Sequence, residues 1–230
     1  DKENPESTFR SNFKDILIKD LFKKSVKNIN PFLDNDQIDE VYNELLKINK
    51  NNMFEANEEA TDILLNGVNV EENKLTWERS PTVKVIDYAH PELNIFTAVS
   101  QFKVNIPWTD KHIIPDITLF INGIPVWVVE CKSPKIAEPM EEAITQLKRY
   151  QNDRWAENNE WSEKLFYFNQ FIIASTRQEA RVWTIKANTE HFLEWKDSYP
   201  IKTSDIHTEA DSETITSQQV LIEWMLNKVN

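Results

Sequence analysis

Glycine is nearly missing from this sequence: Gly67 and Gly123 are the only two in 230 residues. A loop that cradles phosphates needs several glycines close together, so Walker and Rossmann fingerprints are excluded. Cysteine occurs once, at Cys131, which rules out an internal disulfide or a cysteine-rich zinc site. It fits a reducing cytosol, and a cytoplasmic location is expected. No apolar run approaches a membrane span, and the opening residues DKENPESTF do not read as a signal peptide. Basic residues are outnumbered, 26 against 38 acidic, for a formal charge of -12. A chain this acidic should hold DNA weakly by itself, because affinity for DNA comes largely from neutralised phosphates.

What is present suffices for one sizeable core. Apolar residues make up 40%, and eight Trp with twelve Phe supply large side chains. Residues 9–29 carry Phe9, Phe13, Ile16, Leu17, Leu21 and Ile29 near helical spacing, and Pro31 breaks that pattern. Asp34 or Asp36 can cap a second helix bearing Ile38, Val41, Tyr42, Leu45, Leu46 and Ile48. A third short helix is predicted from Glu58 to Leu65, stopping near Asn66-Gly67. From Trp77 the period turns extended. Strands are predicted around Val83, Val85 and Ile86, and over Ile95–Val104, Ile117–Ile121, Val126–Cys131, Phe171–Ala174 and Arg181–Ile185. Glu138 to Trp155 reads as a helix, with Pro139, Glu141 and Glu142 suited to its first turn. Residues 197–218 read as a polar linker, and Val220 to Val229 as an amphipathic helix with nothing obvious to pack on. These patterns predict an α/β fold in three parts: a helical region over 1–66, a core over 67–196, and a linker with the start of a following domain over 197–230.

The chemistry lies in Pro115-Asp116, thirteen residues, then Glu130-Cys131-Lys132. Side chains alternate along a strand, so Glu130 and Lys132 share a face. Asn122-Gly123 between the two runs is a strong hairpin signal. A loop with an odd number of residues centred on Gly123 pairs position 116 with 130 and sets both acids side by side. A strict two-residue loop turns Glu130 away. The odd loop is expected. Two carboxylates so placed repel unless a cation lies between them, and hard oxygen ligands favour Mg²⁺, or Mn²⁺, over zinc. The backbone carbonyl of Cys131 sits where it could complete the coordination. Lys132 would orient or deprotonate a water, or neutralise charge on phosphorus. On the following helix Gln146 and Tyr150 share a face, with Arg149 beside Gln146.

These residues resemble the PD-(D/E)xK nuclease superfamily, and more narrowly the N-terminal nuclease domain of the restriction subunit of type I restriction enzymes. Pro115-Asp116-Ile117 and Leu119 to Pro125 look like that family's first strand and turn, and Val128 to Pro134 like its second strand. Gln146 and Tyr150 match its QxxxY motif. Further likeness covers Leu64 to Gln101 and Phe171 to Trp195. The resemblance implies a mixed central sheet flanked by helices, with Asp116, Glu130, Lys132, Gln146 and Tyr150 as the catalytic set. It also implies Mg²⁺-dependent cleavage of double-stranded DNA, an ATP-driven motor beyond this chain, and assembly with methyltransferase and specificity subunits. A further acid of the family type, Glu6, Glu40 or Glu44, is left unassigned.

Lys103, Lys111, Lys135, Arg149, Arg177 and Arg181 are candidates for a DNA-facing rim, though each alone reads as a solubilising charge. His112 precedes Pro115 and reads as an ordinary loop histidine. His90, His191 and His207 are too scattered for a metal cluster. Two other functions compete with a subunit-bound nuclease. One is a catalytically silent docking module that couples a DNA translocase to partner subunits, which the acidic balance favours slightly. The other is a self-sufficient repair or recombination nuclease.

Overall fold

The structure is a computed structural model and describes residues 1–72, 76–77, 79–106, 109–152, 162–196, 198, 201–202, 204–206 and 214–226. Strands β1 (Val68–Asn69) and β2 (Thr82–Val83) form one small antiparallel ladder, and β4 (Val104–Asn105) with β5 (His112–Ile113) another. The main sheet comprises β3 (Phe96–Ser100), β6 (Ile117–Ile121), β7 (Ile124–Cys131), β8 (Phe171–Ser175), β9 (Ala180–Trp183) and β10 (Leu193–Glu194). Its order is β10-β9-β8-β7-β6-β3, and only β7 and β8 run parallel. A parallel pair requires a crossover, supplied by the segment carrying α4 (Pro139–Tyr150) and α5 (Glu163–Phe166). This is the predicted α/β architecture, a mixed sheet flanked by helices.

Alternation along each strand gives the sheet two faces. Phe120, Val128, Ile172 and Ala174 face one core, where they meet Ile144 and Leu147 of α4 and Leu165 and Phe166 of α5. The same core takes in Phe22 and Val26 of α1 (Lys19–Ile29), with Val41 of α2 (Asn35–Lys47) and Ala60 of α3 (Met53–Asn66). Val129, Ile173, Ala180 and Val182 face the other way, onto Leu221 and Met225 of α6 (Ser217–Met225). The sequence left α6 without a partner; the sheet's second face is that partner. Trp195 and Trp224 stack at 4.1 Å, the Ala180 amide donates to Ser217 Oγ at 3.0 Å, and Gln218 Nε2 donates to Ser175 Oγ at 2.9 Å.

Several boundaries differ from the sequence reading. The helix expected over 9–29 begins only at Lys19. Residues 10–18 have their polar groups tied elsewhere: the Ile18 amide donates to Gly123 O, and Phe13 O accepts from Asn105 N. Ile16, Leu17 and Ile18 are buried in succession, which no single helical face could achieve. α2 starts at a capping box built by Asp34 and Gln37, and α3 starts early because the Asn52 side chain accepts from the Glu55 amide. The run expected over 95–104 breaks at Gln101, whose φ of 52 is left-handed. α4 ends at Tyr150. Its expected continuation to Trp155 stops there, since Asn152 is left-handed (φ 55), and the last helix ends at Met225 rather than Val229; residues 153–155 and 227–229, His207 and much of the 197–218 linker lie outside the described residues.

Candidate active site

Asp116 stands immediately before β6, and Glu130 is next to last in β7. The register Ile117↔Val129 and Thr118↔Val128 therefore sets Asp116 opposite Glu130 on one face. Across such a pair the Cβ atoms lie roughly 5 Å apart. The means differs from the expected odd loop. The turn is a tight two-residue one, pairing Ile121 with Ile124 across Asn122 (φ 54) and Gly123 (φ 78). A bulge then intervenes: Phe120 pairs with Pro125 but Leu119 with Trp127, leaving Val126 without an opposite number. That one extra residue restores the register that brings the acids together. Pro125 was the signal for it, since proline within a paired strand is confined to edges and bulges.

The Asn122 turn is fixed from below. Its buried side chain donates to Val85 O and Asn94 Oδ1 and accepts from the Ile95 amide. Gly123 is required because an added Cβ would stand 2.6 Å from Ile18 O.

Asp116 is half-buried, and its Oδ2 accepts from the Cys131 amide at 2.9 Å, so its carboxylate abuts the backbone of residue 131. Glu130 is 1% exposed. Its Oε1 accepts from Lys132 Nζ at 3.1 Å, while Oε2 is buried without a hydrogen-bond partner. Burial, followed by the nearby Asp116 charge, pushes the Glu130 carboxyl up to about 7 against the opposing pull of Lys132. Lys132 Nζ also donates to Gln146 Oε1. Gln146 Nε2 donates to the Tyr150 hydroxyl at 2.5 Å, which donates to Ile114 O at 3.4 Å. α4 thus holds the tip of Lys132 and the backbone leading into Asp116 at once. The Lys132 amide donates to Ser175 O at 2.8 Å, anchoring the strand end from β8. Cys131 is exposed as a residue, but desolvation of its thiol, with Asp116 and Glu130 nearby, pushes that thiol up to about 11.

The donor set fits a hard divalent cation. Two carboxyl groups and the Cys131 carbonyl are oxygen donors, and Glu130 Oε2 is a buried acceptor without a hydrogen-bond partner. Among the described residues no group of three His, Cys, Asp or Glu side chains gathers to hold a metal, so an ion held here would need water or phosphate for its other positions. Glu40 accepts from the Glu71 amide and Glu44 pairs with Lys47. Of the rim candidates, Arg181 shares a row of the sheet with Glu130 through Ala174, and pairs with Glu179 at 2.7 Å. Arg177 and Lys135 are exposed, and half-buried Arg149 has an unpartnered Nε. Exposed His112 lies on β5, and His191 stacks on Trp183.

A sequence model of the family described as "Type I restriction enzyme R protein N terminus" matches residues 1–191. The chain belongs to this family. It is 27% identical over 193 residues to the MjaIXP type I restriction enzyme endonuclease subunit of Methanocaldococcus jannaschii, a stretch that is 84% of this chain and 18% of that relative. To the HindI endonuclease subunit of Haemophilus influenzae it is 28% identical over 188 residues, 81% of this chain and 17% of the relative. To the MjaVIIIP subunit of M. jannaschii it is 35% identical over 165 residues, 70% and 15% of the two chains. The chain therefore spans less than a fifth of the length of these relatives. All five residues of the site in this R-protein N-terminal region lie within the matched span. No helix among the described residues is long and apolar enough to cross a membrane.

Proposed function

We propose that this R-protein N-terminal region is a Mg²⁺-dependent endonuclease that hydrolyses phosphodiester bonds of duplex DNA within a cytoplasmic type I restriction complex. The observation that carries the proposal is the convergence of Asp116 and Glu130 from adjacent strands, with Lys132 bonded to Glu130 and the other Glu130 oxygen left without a partner. Asp116, Glu130 and the Cys131 carbonyl would hold the ion, with Mn²⁺ as a substitute. Bound there, the ion would make water a better nucleophile and offset charge on the scissile phosphate.

The remaining work falls to the chain itself. An ammonium has three N–H donors, and Lys132 directs two of them at Glu130 and Gln146. The third is left to orient a water or to meet a phosphate oxygen. Because Lys132 acts as donor in both bonds, its contribution is charge stabilisation and water orientation. Gln146 can accept from Lys132 only while its amide points the right way, and the Tyr150 hydroxyl fixes that orientation by taking the opposite end. An ATP-driven motor in the rest of the subunit, with methyltransferase and specificity subunits, would bring DNA to the site and supply the basic surface that a charge of -12 lacks.

The test uses the complete subunit assembled with its partners. Asp116→Ala, Glu130→Ala and Lys132→Ala should each lower cleavage by about 10²-fold or more, with an unchanged circular dichroism spectrum. In calorimetric Mn²⁺ titration of the chain, the two acid variants should lose binding and Lys132→Ala should retain it. Cleavage at the wild-type rate in any of the three sinks the assignment. Wild-type protein that takes up no ion would favour the silent docking module, which the acidic balance alone supports.

A further inference from the structure

Arg10 lies far from the catalytic motif in sequence, yet its guanidinium is fully buried. NH2 donates to Asp1 Oδ2 at 2.6 Å and to Lys103 O at 2.9 Å, NH1 donates to Asp15 O at 2.6 Å, and the group lies 3.8 Å over the Phe102 ring. The Asp1 carboxylate in turn accepts from the Lys103 amide at 2.9 Å. Both polar backbone groups of Lys103 are thereby held by one buried ion pair. On its other side the same turn hydrogen-bonds the approach to the site: the Gln101 amide donates to Asp116 O at 2.8 Å and the Phe102 amide to Pro115 O at 3.2 Å. The left-handed Gln101 makes that turn costly without outside support.

We infer that Arg10 is a positioning residue for the metal ligand Asp116, acting through the turn at residues 100–103. A lone charge in the interior is expensive, so this pair is retained only with its geometry satisfied. The planar fork supplies that geometry: it spans a carboxylate and two carbonyls at once, which a lysine ammonium at the same position does not. The N-terminal segment is therefore part of the support of the site. The inference rests on the metal-dependent reading above and adds to it the device that fixes one ligand.

The test compares Arg10→Lys and Arg10→Gln with wild type in the full chain, using two readouts other than cleavage. Amide hydrogen exchange should show the Gln101 and Phe102 amides losing protection while the β6–β7 ladder keeps its own. Mn²⁺ affinity should fall about 10- to 100-fold, the scale of lost support behind a metal ligand. Val41→Ala, a core truncation on α2, controls for destabilisation alone and should leave both readouts unchanged at a matched Tm. Asp116→Ala, run alongside, must lose Mn²⁺; if it binds like wild type, the metal reading is what fails. If Asp116→Ala loses the ion but both Arg10 variants bind it as wild type does, or Val41→Ala weakens it equally, Arg10 has no positioning role. Should Arg10→Gln not fold, Arg10→Lys, which keeps the charge, decides the matter by the same two readouts.

Discussion

Glu130 combines near-complete burial with a carboxylate neighbour, and its raised pKa has a consequence for stability. A carboxyl that holds its proton more tightly folded than unfolded favours the fold below its ordinary value of 4.5. That contribution is lost as pH rises through about 7. In the absence of divalent ions, Glu130→Gln should therefore stabilise the protein at pH 8 by ~1–3 kcal/mol and change little at pH 4. Urea unfolding at the two pH values, with chelator present, measures this. Adding Mg²⁺ at pH 8 should then raise the wild-type midpoint and leave the variant's unmoved, because only a folded state with the intact acid pair gains from binding. Equal midpoints for the two metal-free proteins at pH 8 would mean that Glu130 is ionised without penalty.

At the scale of elements, the hairpin works because two departures from regularity compensate one another. The tight Asn122-Gly123 turn would by itself turn Glu130 to the α6 side, and the extra residue at Val126 turns it back. Deleting Val126 should abolish Mn²⁺ binding and cleavage while the helices persist, checked by calorimetry and circular dichroism. A deletion variant that still binds the ion would refute the register account. The same features show where sequence is readable. α2 was legible from its apolar spacing and Asp34, and β6 and β7 from their β-branched runs about Asn-Gly, because local propensity decides them. Residues 10–18 were not, since Phe13 is tied to β4 and Ile18 to Gly123, both remote in sequence. Nor was the partner of α6, an entire sheet face assembled from four strands. The acids, the lysine and the Gln146–Tyr150 pair were legible because their chemistry is carried by residue type. The bulge that joins them left a single trace, Pro125.

On the scale of the molecule, a charge of -12 leaves the proposed nuclease site without a basic surface of its own for holding DNA. The isolated chain should bind duplex DNA with a shallow salt dependence, changing by less than about tenfold between roughly 50 and 200 mM salt, where a protein making many phosphate contacts changes about 10³-fold or more. Fluorescence anisotropy over that range measures the slope; a steep one would show a basic surface that the composition does not suggest. Two segments far apart in sequence also meet at one corner of the sheet. Residues 1–10 reach Asp116 through the turn at 100–103, and α6 reaches Lys132 through Ser175. A disturbance of either segment thus has a short lever onto the candidate site, whereas Asn122-Gly123 lies at the far end of the hairpin. Insertions in either segment would tug on the corner that holds Asp116 and Lys132, and a reporter meant to leave that corner undisturbed belongs on the opposite rim of the sheet.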